Sequence, residues 1–379
     1  MKRSLVYSSL VTTSIALGIF LVHGKKIASS NHQHQQTVFD NFLRSQPNTN
    51  IAVTHPHEWP ASMYKDALLY NLRHHDSHVL DKNYLVPLFL MANRDHAKAR
   101  QLLQHGTTDA DLAELVATNP EASDFFTALK TNNRGKRFFY DLADYIQAID
   151  VTPSTVHQYK RKGYLSYYAE KKEDYSIKSQ ETWQDKQRNV YKILQETRPQ
   201  TVLDLGSNAG WFSELAEHLG AKVIATDIDE SCLDYLYNKS KDHRLNITQA
   251  MLPFEQCNNP EVRERFASDT VLCLALVHHL VFVAGMRLEE IFEILAKLTK
   301  KTLILEYVDL EDKSLKWGLE NPEFFKDANM YKRARQMLST YAQESYNIKN
   351  ILQIAKKYFS HNIILDSNTP ERKLVILHR

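Results

Sequence analysis

The second half of the chain predicts an α/β fold with a doubly wound, Rossmann-like sheet and helices on both faces. Two observations carry this prediction: apolar strand-like runs alternate with amphipathic helical stretches, and a Gly-containing turn follows the first run. We expect this α/β domain to span 159–379. A helical accessory domain at 51–158, a polar linker at 25–50 and a hydrophobic segment at 1–24 precede it.

Each element of the α/β domain has its own signal. The helix after the first strand carries Phe212, Leu215 and Leu219 on one face at helical spacing. Asn368-Thr369-Pro370 predicts a turn between the last two strands. The runs predicted as strands or strand ends are Val202–Leu205, Val223–Ala225, Ile247–Phe254, Asp269–Leu276, Thr302–Val308, Ile363–Leu365 and Leu374–Leu377.

The turn after the first strand is the most specific motif of the chain. Thr201–Asp229 contains the pattern D-x-G-x-x-x-G, and Asp227 ends the second strand about 20 residues beyond the glycines, where an acid can bind ribose hydroxyls. Asn208 replaces the middle glycine of a dinucleotide fingerprint, and no Lys-Ser/Thr follows as in a P-loop. The alternative is an ordinary βαβ unit that binds no ligand.

This turn resembles motif I of the class I S-adenosylmethionine (SAM) methyltransferases. The resemblance covers about Tyr159–Arg379 and implies a seven-stranded sheet, whose last two strands form an antiparallel edge, with SAM as cofactor. LDLGSNAGWFS, LALVHHL and the ending after Pro370 further resemble a bacterial class I group that includes nodulation-associated methyltransferase-like proteins. That narrower resemblance names no substrate.

The resemblance also implies which residues surround the cofactor. Asp227 would hold the ribose, Ile228 would lie beside the adenine, and Met251 would add an apolar contact. The family often places an acid or amide after the third strand, but Ile247–Phe254 has no Asp, which weakens the case for base recognition. The residues around the methionine part would be Asp204, Gly206, Ser207, Asn208 and Gly210.

Candidate acceptor-side residues follow the fourth strand. An unperturbed histidine titrates near pH 6.5, which suits a general base, and we favour His279 over His278 for that role. The alternative is that these histidines are structural. Glu306 in the fifth strand either orients a histidine or is a buried structural acid. No metal site is expected, because His74 and His78 share a helix face without an HExxH motif or nearby cysteines.

The function implied is methyl transfer to an unidentified acceptor: a small molecule, a lipid-linked glycan or a protein. One alternative is a non-catalytic SAM-binding or interaction protein that uses the sheet as a scaffold. Another is an NAD-linked oxidoreductase, which Asn208 disfavours. A net charge of +2 does not favour a nucleic-acid partner. The basic and aromatic patch Tyr159–Lys172 would contact bases or anionic lipid, or is a solvated helix face. The oligomeric state stays open.

The N-terminus predicts contact with a membrane. Ser4–Gly24 is uncharged and long enough for a signal-anchor or a cleaved signal peptide, and Lys residues flank it at both ends. Three cysteines without a C-x-x-C pair favour a reducing compartment. Because SAM is made in the cytosol, we expect a membrane anchor with the catalytic domain in the cytoplasm. The alternative is export after signal cleavage.

Overall fold

The computed structural model describes residues 38–46, 54–131, 135–153, 179–325 and 327–379. The chain divides into a helical unit that ends at Thr152 and an α/β unit that begins at Pro153, with residues 47–54 grouped with the second. The predicted anchor or signal segment and the patch Tyr159–Lys172 lie outside the described residues. In the part that is described, no helix has the length and apolar character needed to span a bilayer.

The helical unit is built around a buried aromatic cluster. Phe39 lies 5.4 Å from the ring of Tyr84 and 5.5 Å from the ring of Trp59. Residues 38–45 form a helix, so the predicted polar linker at 25–50 is wrong there: Phe39 and Phe42 are buried on one side of that helix. The helices are α1 (38–45), α2 (Ala61–Arg73), α3 (Lys82–Ala92), α4 (His96–His105), α5 (Asp109–Thr118), α6 (Pro120–Thr131) and α7 (Lys136–Ala148).

The histidines of this unit do not form the predicted helical pair. Helix α2 ends at Arg73, His74 caps it, and His78 lies in the separate turn Ser77–Leu80. Both histidines are exposed, as expected of solvated surface groups. Across the described ranges, no group of three or more His, Cys, Asp or Glu side chains could hold a metal ion.

The α/β unit contains one seven-stranded mixed sheet, as predicted. Its strand order is β3-β2-β1-β4-β5-β7-β6. The first five strands are parallel, and β7 runs antiparallel between β5 and β6. The strands are β1 (Thr201–Leu205), β2 (Lys222–Asp227), β3 (Ile247–Met251), β4 (Ser268–Cys273), β5 (Thr299–Val308), β6 (His361–Asp366) and β7 (Arg372–His378).

Helices cover both faces of this sheet. Val190, Leu215 and Leu236 pack on one face with Val202. Ile291 and other apolar residues pack on the other face with Leu203. The alternation of neighbouring strand residues between two cores explains why Val202, Leu203 and Leu205 of β1 are all apolar. The helices are α8 (Asp185–Thr197), α9 (Trp211–His218), α10 (Glu230–His243), α11 (Pro260–Phe266), α12 (Val277–Phe282), α13 (Leu288–Leu298), α14 (Lys313–Glu320), α15 (Ala328–Met337), α16 (Gln343–Ser345) and α17 (Ile348–Ala355).

Two features of the α/β unit bear on its chemistry. Cys232, Cys257 and Cys273 are all buried, and none of them forms a disulfide. The fourth strand ends at Cys273, earlier than predicted, and Ala275 adopts a left-handed backbone with φ 53° before α12 begins. Since this region is sparsely populated for alanine, the chain makes a sharp and strained turn at the carboxyl edge of the sheet.

Candidate functional site

The turn after β1 consists of residues 206–210 and adopts a left-handed backbone at three positions. The φ angles are 68° at Gly206, 52° at Asn208 and 87° at Gly210. A Cβ atom at Gly210 would lie 2.5 Å from Leu236 Cδ1, so this position requires glycine for space as well as for conformation. Asn208 tolerates the left-handed region better than most residues. The glycines of the predicted motif are therefore there for a physical reason.

Asp227 is fixed at the end of β2 by backbone hydrogen bonds. Its Oδ2 accepts a bond from the N–H of Asn208 at 2.8 Å, which ties it to the turn. Its Oδ1 accepts bonds from the N–H groups of Ile228 at 2.7 Å and Asp229 at 2.9 Å. Burial raises the pKa of the Asp227 carboxyl, and these donors oppose that shift. The structure thus brings together the turn and the acid of the predicted site, which lie 19 residues apart in the sequence.

Asp204 faces the sheet side of α9 and is buried. It accepts a hydrogen bond from Ser213 Oγ at 2.7 Å. Burial raises the pKa of its carboxyl to about 6, although the Ser213 bond and the positive charge of Lys186 lower it. Asp204 therefore links the end of β1 to the first turn of α9, which follows the glycine turn.

Three further features fit a ligand at this turn. Ser207 Oγ is buried, and it has no hydrogen-bond partner among the described residues. Ile228 is 60% exposed, an unusual exposure for a large apolar side chain. Met251 is half-buried at the end of β3. A bound molecule with a polar group near the turn and an apolar surface near Ile228 would satisfy all three positions.

The acceptor-side histidines lie together at the start of α12. Their ring centroids are 4.3 Å apart, both side chains are half-buried, and His278 Nδ1 is buried without a hydrogen-bond partner in the described part of the chain. Burial and the charge of Arg372 lower the pKa of His279 to about 4. Burial, His279, Arg372 and Lys186 lower the pKa of His278 well below its usual range. The expected titration near pH 6.5 does not hold in this environment, because burial lowers the basicity of both rings.

Glu306 contacts no histidine through the hydrogen bonds of its carboxylate. Its Oε2 lies 2.6 Å from Lys186 Nζ, and its Oε1 accepts a bond from Ser367 Oγ at 2.5 Å. Lys186 was missed in the sequence, although it has a signal there: it shares a helix face with the apolar Val190 and Ile193, where a lysine must be buried.

Comparison with known proteins adds a sequence relative. No protein-family model matches the chain. The nodulation protein NoeA of Rhizobium meliloti (strain 1021) is 31% identical over 159 residues, which are 38% of this chain and 33% of NoeA. The chain thus spans about a third of the length of this curated relative.

Similar solved structures include a methyltransferase, the bifunctional kinase-methyltransferase WbdD and TehB. Magnesium protoporphyrin IX methyltransferase (ChlM) from Synechocystis PCC 6803 with bound SAH covers 51% of this chain and 81% of its own, at 16% identity and a TM-score of 0.35. WbdD covers 56% of this chain and 46% of its own, at 16% identity and a TM-score of 0.37. TehB from Haemophilus influenzae covers 39% of this chain and 46% of its own, at 19% identity and a TM-score of 0.30.

The strand order with an antiparallel β7 is the one that the resemblance to class I SAM-dependent methyltransferases implies. The α/β unit therefore has the architecture of that class. Within the class, the similarity to NoeA agrees with the bacterial group that includes nodulation-associated proteins.

Proposed function

We propose that the chain is a methyltransferase that uses SAM. The observation that carries this proposal is the bond between the turn and the second strand, in which the N–H of Asn208 donates to Asp227. It fixes a carboxylate beside a glycine turn at the carboxyl edge of a parallel sheet, where ligands bind in open α/β folds. The resemblance to motif I of the class I methyltransferases supports the same function.

The residues at the turn fit the proposed cofactor. Gly206, Ser207 and Asn208 would surround the methionine part together with Asp204 and Gly210. Ser207 Oγ supplies a buried hydroxyl that has hydrogen-bonding capacity to spare.

The other end of the site suits a nucleoside. The Asp227 carboxylate would accept the ribose hydroxyls, and Ile228 and Met251 would contact the adenine. When bound, SAM supplies an electrophilic methyl group on a sulfonium.

On the acceptor side, the neutral rings of His278 and His279 would hold and orient the acceptor through hydrogen bonds. An imidazole with a pKa of about 4 is a weak proton acceptor at neutral pH. We therefore infer that the acceptor reaches the site already nucleophilic, as an ionised oxygen or an uncharged amine. Catalysis would then depend mainly on alignment of the reacting atoms, and the acceptor itself would be a small molecule, a lipid-linked glycan or a protein.

Calorimetric titration with SAM and NAD tests the cofactor. We expect micromolar binding of SAM that Asp227→Ala abolishes, and no binding of NAD. Asp229→Asn is the matched control, because Asp229 caps α10 through the N–H of Ser231 and its carboxylate is not placed at the ribose. A folded protein that does not bind SAM would contradict the assignment. SAM binding without methyl transfer to any cell fraction would favour the non-catalytic scaffold.

Location is part of the same proposal. We propose that the segment 1–24 anchors the chain and leaves the α/β unit in the cytoplasm, where SAM is made. Protease protection of membrane vesicles checks the topology, and export of the unit after cleavage would overturn it.

A further inference from the structure

The strand β6 forms an exposed edge of the sheet. It lies at the outer end of the strand order, and no strand in the described part of the chain pairs with its other side. Five of its six residues are exposed, and among them Ile363 and Ile364 are 50% and 44% exposed. At the opposite edge, four of the five residues of β3 are buried. Within the described residues, β6 is therefore the uncovered edge of the sheet.

The backbone of β6 has hydrogen-bonding groups that face outward along this edge. The C=O of Asp366 accepts a bond from the side chain of Asn189 at 2.8 Å, so this group points away from β7. Backbone groups alternate in direction along an antiparallel strand, and the N–H and C=O groups of Asn362 and Ile364 therefore point the same way as those of Asp366. Two residues of β6 thus present both a donor and an acceptor to an incoming strand.

The edge also lacks the features that usually prevent strand pairing. Natural edge strands are commonly protected by a lysine, a proline or a β-bulge. The stretch His361–Asp366 contains neither lysine nor proline, and its pairing with β7 continues without a bulge. This strand is therefore suited to pair with another strand.

The two isoleucines indicate what kind of partner fits. Ile363 and Ile364 are neighbours in a strand and so point to opposite faces of the sheet. A helix or loop that docks on one face would cover only one of them. A strand that pairs with the edge, and that belongs to a sheet of its own, extends both faces and covers both side chains.

The charges at the two ends of β6 are complementary to those of a second, antiparallel β6. Lys356 and Lys357 are exposed shortly before the strand, and the exposed His361 begins it. Asp366 ends it and is 79% exposed, although it pairs with Lys373 at 2.7 Å. In an antiparallel pair of identical strands, the acidic end of each lies beside the basic start of the other. A second copy of the chain therefore fits the edge in charge as well as in shape.

We propose that two copies of the chain associate through β6, antiparallel about a two-fold axis at Ile363, so that one sheet continues into the other. In this register, Asn362 of each copy exchanges backbone hydrogen bonds with Ile364 of the other, and the bond from Asn189 to Asp366 is retained. The two Ile363 side chains meet across the axis on one face. The association does not depend on the proposed cofactor, because β6 lies four places from β1 in the sheet.

Sedimentation velocity of the full chain in a non-ionic detergent tests the association. We expect a monomer–dimer equilibrium between about 1 and 100 μM, since a single strand pair buries a small area. Ile364→Pro should weaken it by about tenfold or more, because proline removes an outward N–H and leaves the bonds to β7 in place. Ile364→Val is the matched control and should still dimerise. A wild type that stays monomeric throughout, or a dimer that survives Ile364→Pro, would overturn the proposal.

Charge reversal tests the antiparallel orientation without a change in the backbone. Asp366→Lys makes both ends of β6 basic, and Lys356→Glu/Lys357→Glu makes both ends acidic. Each variant alone should dimerise more weakly than the wild type, whereas an equimolar mixture of the two should form a heterodimer. The lost surface pair with Lys373 should cost little stability, which a thermal melt checks. A mixture that associates no better than its components would contradict the antiparallel arrangement.

Hydrogen exchange distinguishes a second copy from another part of the same chain. The amides of Asn362 and Ile364 should exchange quickly in dilute wild-type protein and slowly in concentrated protein. In Ile364→Pro, the amide of Asn362 should exchange quickly at both concentrations. Slow exchange of these amides in a monomeric sample would mean that the chain covers its own edge, and the proposal would fail.

Discussion

The proposed donor side of the site, at the glycine turn, and the proposed acceptor side, at the two histidines, are built in different ways. On the donor side, backbone groups hold the carboxylate in place. The turn has a left-handed backbone, and three N–H groups donate to Asp227. On the proposed acceptor side, tertiary packing lowers the pKa of both histidines, first through burial and then through the charges of groups from other segments such as Arg372. The first arrangement is local and repeats within a fold, whereas the second depends on tertiary packing and is free to vary with the acceptor.

The largest expected effect comes from Gly210→Ala, which disrupts the glycine turn on the donor side. Its Cβ would meet Leu236 at 2.5 Å on a backbone with φ 87°. We expect loss of several kcal/mol of unfolding free energy and of cofactor binding, since the left-handed backbone alone costs about 1–2 kcal/mol. Gly220→Ala is the control, with φ 93° and no atom within 4 Å of its Cβ. Urea unfolding of both variants measures the difference, and equal losses would contradict the role of space at Gly210.

His279→Ala tests the proposed acceptor side. We expect turnover to fall roughly tenfold to a hundredfold, because the acceptor loses an orienting group, while SAM affinity stays nearly unchanged. Single-turnover kinetics and calorimetry report the two quantities separately. Equal loss of turnover and SAM affinity would indicate a structural role instead.

The two sides should differ in how the free energy of unfolding depends on pH, because the pKa of His279 is lowered and that of Asp204 is raised. The folded-state pKa of His279 is lowered to about 4, so its contribution to stability is present above pH 6.5 and is lost as pH falls. The folded-state pKa of Asp204 is raised to about 6, so its contribution is present below pH 4 and is lost as pH rises.

Between about pH 6.5 and pH 4, His279→Asn should gain stability relative to the wild type as pH falls. Asp204→Asn should gain it as pH rises. We expect changes of about 1–2 kcal/mol in each direction from urea unfolding at a series of pH values. Parallel trends in the two variants would show that the environments of the two groups are not opposed.

The smallest expected effect sharpens the donor side. Ile228→Thr should leave the unfolding free energy within about 0.5 kcal/mol, because the side chain is 60% exposed. SAM affinity should fall roughly threefold to tenfold as an apolar contact with the adenine is lost. Thermal melts with and without SAM measure both effects. An unchanged shift by SAM would place the adenine elsewhere.

The same contrast explains what could be predicted from the sequence. The strand positions, the glycine turn and Asp227 follow from apolar runs and from spacing, which are local signals. The seven-stranded sheet with its antiparallel edge was an implication of the family resemblance. The helix at residues 38–45 was missed because its apolar face is short and lies next to a polar stretch. The lowered histidine pKa values depend first on burial and then on Arg372, which is 93 residues from His279 along the chain. No spacing rule links them, and only the folded sheet brings them close.

The buried cysteines have a practical consequence. Burial raises the pKa of the thiols of Cys232 and Cys273, and Cys257 is buried as well. The native chain should therefore react slowly with maleimides. A single cysteine placed at an exposed position such as Ile228 would accept a fluorophore selectively, and its emission would report ligand arrival in real time without prior removal of any native cysteine.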